Sequence, residues 1–104
     1  MRRPERLAEA LKEEIAEVVG FELDDPRLGL ITVTDVEVTS DLRDAKVFVL
    51  VRGTEEEINV AFAALEKASG YIRRQVALDL DLRHTPHLHF TRDTAEENAA
   101  RIGV

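Results

Sequence analysis

Apolar residues recur along this chain with two different periods, and the changes of period divide it into elements. Between Pro4 and about Leu23, Leu7, Leu11, Ile15, Val18 and Val19 return every three or four positions, while Glu9, Glu13 and Glu17 line another side. That spacing predicts an amphipathic helix, with Pro4 in the first turn, where a missing N–H is no loss. Asp24-Asp25-Pro26 predicts its end, because a residue before proline avoids helical angles. An Asp-initiated turn follows, with Gly29 expected at an awkward backbone angle.

From Leu30 to Thr39 (LITVTDVEVT) β-branched residues dominate, which predicts a strand. Residues Ala45 to Arg52 (AKVFVLVR) alternate, with Ala45, Val47, Val49 and Val51 on one face and Lys46, Phe48, Leu50 and Arg52 on the other. Residues 40–44 join the two strands as an antiparallel hairpin. Within the first strand, Ile31 and Val33 point opposite to Val36 and Val38. Either a bulge lies near Asp35 or both faces are partly covered.

Thr54 and Glu57 have the spacing of a capping box. Ile58, Ala61, Phe62, Leu65, Ile72, Val76 and Leu80 continue one helical stripe towards Asp81. Ala68-Ser69-Gly70 interrupts it with three small residues, of which the glycine alone costs roughly 1 kcal/mol against alanine. The reading here is a helix broken at its centre. Pro86 precedes a short strand, His87 to Thr91, with Leu88 and Phe90 on one face; Thr94 and Glu97 suit the start of a brief helix over 94–101. The order helix, strand, strand, helix, broken helix, strand predicts an α+β fold, a three-stranded sheet covered by helices on one face.

Composition narrows the class. The chain has 104 residues, of which 44% are hydrophobic and 34% charged. That balance fits one folded domain over residues 1–104. No apolar run approaches the roughly 20 residues of a membrane span, and MRRPERLAEALKEE lacks the apolar core of a secretory signal. Without cysteine there is no disulfide and no thiolate metal site. A cytoplasmic, membrane-free protein is expected.

The net charge of −7 opposes a simple nucleic-acid reading. Its distribution reopens one: between residues 68 and 84 three basic residues, Arg73, Arg74 and Arg83, stand against two acidic ones, and the block begins at the predicted break. Exposed charges are screened over about 8–10 Å, so an anionic molecule can carry a cationic face. Bare Ala68, Ser69 and Gly70, with free N–H groups at the start of the second helical piece, would let a sugar–phosphate backbone approach. Arg43 and Lys46 extend the basic surface, and Arg2, Arg3 and Arg6 form a second cluster. The plain alternative is a bent helix wrapping the sheet, or a close helix–helix contact needing a small residue, beside solvated arginines.

His84, His87 and His89 include two residues on one strand face, with Asp93 the nearest carboxylate downstream, but a closed metal site needs more. No metal is expected, nor any other cofactor. Neither Ser40 nor Ser69 sits in a nucleophile elbow, and no phosphate-binding glycine loop occurs. The chain is expected not to be an enzyme.

The runs Arg3…Arg6-Leu-Ala-Glu9, Asp25-Pro-Arg-Leu-Gly29, Thr32-Val-Thr34, Asp41-Leu42, Ala45-Lys-Val-Phe-Val49, Ala68-Ser-Gly70, Ile72-Arg-Arg74 and Arg83-x-x-Pro86…Leu88-x-Phe90 together resemble the bacterial ribosome-binding factor A family. The resemblance implies a type II K-homology fold, in which an Ala-x-Gly kink takes the place of the nucleotide-clamping Gly-x-x-Gly loop. Ala68-Ser69-Gly70 matches that kink. It also implies a monomeric assembly factor that binds free 30S small ribosomal subunits and supports late maturation and processing of 16S ribosomal RNA near its 5′ end, with a part in cold adaptation in some bacteria. Small-subunit ribosomal proteins are further candidate partners. A rival reading makes the acidic first helix (Glu9, Glu13, Glu17) a docking face for a basic ribosomal protein, without RNA contact.

Overall fold

A computed structural model describes residues 3–94. The helix expected over 94–101 lies outside the described residues. The elements are α1 (Arg3–Glu17), β1 (Ile31–Val38), β2 (Asp44–Val51), α2 (Glu55–Asp79) and β3 (His87–Arg92).

Helix α1 widens at its end into a π turn over Val18–Glu22, closed by the Leu23 N–H donating to the Val18 carbonyl at 3.1 Å. The wider turn buries both Val18 and Val19 and brings Leu23 back against the core, while Phe21 is left outside. A 3₁₀ turn follows over Pro26–Leu28. The Asp25 carboxylate caps it by accepting from the Arg27 N–H at 3.0 Å and Nε at 2.9 Å, and the Arg27 guanidinium holds that carboxyl down at about 2. Gly29 has φ −68°, an ordinary right-handed value. The expected awkward angle is not there, because the 3₁₀ turn already reverses the chain.

The sheet order is β1-β2-β3, with β1 antiparallel and β3 parallel to the central β2. Its register shifts between Val33 and Asp35. Of the two alternatives at β1, the bulge is the one adopted. Thr34 is the extra residue, so Val33 and Val36 both turn inward and both are buried. The Thr34 hydroxyl donates to the Asp93 carboxylate at 2.6 Å, and the Asp93 N–H donates to the Val49 carbonyl at 2.7 Å. Asp93 is thereby buried at the end of β3.

Both helices cover one face of the sheet. Leu11, Ile15 and Val18 from the first helix and its π turn, and Ile58, Leu65, Ile72 and Val76 from α2, close over Val33, Val36, Ala45, Val47 and Val49. The capping box forms as read: the Glu57 N–H donates to the Thr54 hydroxyl at 3.2 Å, and the Thr54 N–H to the Glu57 carboxylate at 3.0 Å. Arg92 donates twice to Glu55, at 3.0 and 3.1 Å, joining the end of β3 to the start of α2.

One expectation fails at the centre of α2. The helix is a single 25-residue element through Ala68-Ser69-Gly70, not two pieces. The helical ladder therefore occupies the backbone N–H groups that a break would have freed. Burying Leu65, Ile72 and Val76 on either side outweighs the roughly 1 kcal/mol that glycine costs. Ala68 is partly buried against the core, and the Ser69 hydroxyl donates to the Glu66 carbonyl at 2.8 Å.

Candidate nucleic-acid interface

A cleft of about 1090 Å³ opens between the second half of α2, the start of α1 and the loops before β2 and β3. Arg3, Arg43, Arg73, Arg74 and Arg83 line it together with Gly70, His84 and His87, and Asp41 is the one carboxylate among its described lining residues. Five of the described cations thus converge on one concavity of a chain whose net charge is −7. Neighbouring guanidiniums repel one another, so such a cluster is suited to holding a polyanion.

The walls are fixed by backbone hydrogen bonds. In the hairpin loop the Asp41 carboxylate accepts from the Thr39 hydroxyl at 2.6 Å and the Arg43 N–H at 3.0 Å, which lowers the Asp41 pKa. Leu42 is held at φ 64°, a left-handed angle that disfavours a side chain. The Arg43 carbonyl then accepts from the His87 N–H at 2.9 Å, tying the hairpin loop to the start of β3. On the opposite side Arg73 donates through Nη2 to the Thr85 carbonyl at 2.9 Å and through Nε to the Pro86 carbonyl at 3.3 Å. This fastens the loop carrying Arg83 and His84 to α2.

Arg73 therefore differs from the free phosphate ligand expected of it. Two of its five N–H groups are spent on the loop, because those two carbonyls lie beyond the end of the β2–β3 ladder. Arg74 and Arg83 have no carboxylate partner among the described residues, and Arg74 Nη1 lies over Gly70, 3.5 Å from where a Cβ would stand. Lys46 is elsewhere. It projects from the uncovered face of the sheet, in register with Glu37 and His89, with Nζ 5.7 Å from the centre of the Phe48 ring. Arg6 is exposed on α1 but does not line the cleft.

His84 and His87 enter the cleft because the 82–87 loop folds back on α2, a long-range event with no local sequence signal. His89 faces away and pairs with Asp44 at 2.8 Å. Among the described residues no group of three or more His, Asp or Glu is placed to share a metal ion, and no helix is long and apolar enough to cross a membrane.

Gly70 is where stability and access oppose one another. A Cβ there would make only ordinary contact with Arg74, so Gly70→Ala is expected to stabilise the helix by about 0.5–1 kcal/mol. Thermal unfolding should shift upward by a few degrees, while affinity of the cleft for a nucleic-acid polyanion falls several-fold. A stabilised variant that binds as well as the parent would show that the bare position serves no close approach.

The helix-strand-strand-helix-strand order, the mixed sheet and the one-sided helical cover define a K-homology-like α+β fold. A sequence model described as "Ribosome-binding factor A" matches residues 3–103. The chain is 50% identical to the ribosome-binding factor A of Thermomicrobium roseum over 100 residues, which span 96% of this chain and 78% of that protein. The crystal structure of ribosome-binding factor A from Thermus thermophilus superposes with a TM-score of 0.77 at 31% identity, covering 88% of this chain and 97% of that one. A homology model of the Thermus thermophilus factor, fitted into a cryo-EM map of its 30S complex, superposes with a TM-score of 0.67 at 32% identity, covering 81% and 88%. This chain belongs to the ribosome-binding factor A family.

Proposed function

We propose that this protein binds the free 30S subunit by laying its basic cleft on 16S ribosomal RNA, and that it supports late maturation of the subunit, including processing near the 5′ end of that RNA. The observation that carries the reading is the convergence of Arg3, Arg43, Arg74 and Arg83 on one preformed cleft. Such a set recognises backbone phosphates by charge and bidentate hydrogen bonding. Among the described residues no phenylalanine, tyrosine or tryptophan lines the cleft; the flat groups there are the imidazoles of His84 and His87 and the guanidiniums, which can also stack on an unpaired base.

Arg73 acts within this reading as the residue that sets the wall, and Gly70 as the bare patch beside Arg74. The direct test is binding of the purified protein to 30S subunits and to protein-free 16S RNA, paired with depletion in cells. Binding to both, and accumulation of 5′-unprocessed 16S RNA on depletion, is the expected result. Binding to subunits with none to protein-free RNA would overturn the RNA-docking reading.

A further inference from the structure

Beyond the cleft, the end of the molecule where α1 stops and α2 stops carries a second surface of opposite character. Phe21 on the π turn is 82% exposed and Leu78 on α2 is 74% exposed. They are the two most exposed large apolar side chains among the described residues. The two elements are held side by side. Gln75 donates to the Glu22 carboxylate at 3.4 Å, and Glu14 stands within hydrogen-bonding reach of Asp79. The space over Gly20, next to Phe21, is open.

The rim of this surface is acidic on the α1 side and at Asp79, while Arg74, one turn before Leu78, borders it on the cleft side. Asp79, Glu22 and Glu17 all act on Glu14 with the same sign, and together with burial they raise its pKa. The hydrogen bond to Asp79 is the largest cause, which marks carboxyl groups crowded together without a cation between them. One Glu14 carboxylate oxygen is buried with no hydrogen-bond partner among the described residues. An apolar centre with an acidic rim has the layout of a protein interface.

We infer that Phe21 and Leu78 form a protein-docking surface whose occupant is a lysine- or arginine-rich polypeptide segment of the small subunit presenting an apolar side chain. Charge selects among the occupants. RNA would meet the same carboxylates that repel it, and a second copy of this chain would set one acidic rim against another. A basic segment relieves both rim and centre at once. The inference rests on the small-subunit reading, since that particle is where such a segment would be met.

The test places a photo-crosslinking amino acid at position 21 and, in a separate variant, at position 74, each bound to purified 30S subunits. Position 21 decides this inference. An adduct to a basic ribosomal-protein segment is the expected result, and an adduct to RNA, to a second copy or to nothing overturns it. Position 74 decides the cleft reading independently, by whether it crosslinks to 16S RNA. The double variant Phe21→Ser/Leu78→Ser changes only exposed side chains and should keep the fold. It is expected to bind 30S subunits roughly tenfold more weakly and protein-free 16S RNA as tightly as the parent. Equal loss on both, or on neither, overturns the inference.

Discussion

Reversing charge at Arg43, Arg74 and Arg83 together is expected to reduce affinity for 16S RNA by roughly two to three orders of magnitude at low salt. The three line one cleft from three separate segments of the chain, so they address the same stretch of phosphates. Each phosphate contact removed should also flatten the dependence of log affinity on log salt by about 0.7–0.9. The parent-to-variant difference in slope should therefore approach two to three. None of the three forms a salt bridge among the described residues, so thermal stability should change little. Retained affinity with an unchanged slope would remove the cleft from the binding site.

Arg73 is expected to behave differently from its neighbour, and the contrast separates holding a wall from touching RNA. Arg73→Ala leaves the Thr85 and Pro86 carbonyls without their donors. Hydrogen bonds to a charged donor contribute about 1.5–3 kcal/mol each, and the loop can regain water at part of its surface. A loss of about 2 kcal/mol follows, which lowers the unfolding temperature by roughly 10 °C in a chain of this size. Arg73→Lys keeps the charge but cannot span two carbonyls with a planar fork. It should lose about half as much stability and weaken RNA binding while leaving the salt slope near that of the parent. The measurements are thermal unfolding and a salt titration on the same samples. A normal melting temperature with a slope lowered by about one in Arg73→Gln would instead make Arg73 a phosphate ligand.

Much of the architecture was legible because local and long-range preferences agree. The stripe of α1, the alternation of β2 and the Thr54–Glu57 cap each appear where the spacing put them. The bulge in β1 was legible as one of two alternatives, and cross-strand register chose between them. Lys46 could have been separated from the basic surface by alternation alone. Ala45 and Val47 are buried, so the residue between them must face away from the helices. The continuity of α2 could not be read, since it depends on how much Leu65, Ile72 and Val76 bury against a sheet formed from distant residues. Nor could the second role of Arg73: its acceptors, the Thr85 and Pro86 carbonyls, come within reach only once the loop after α2 folds back.

The parallel pairing of β3 with the central strand has a consequence for synthesis. β3 can add only after α2 has crossed over the sheet, and the loop before it supplies Arg83, His84 and the carbonyls that Arg73 holds. A nascent chain that has emerged only through α2 presents arginines on a helix but no enclosed cationic concavity. The cationic concavity is thus a late product of folding, complete only once the third strand has docked.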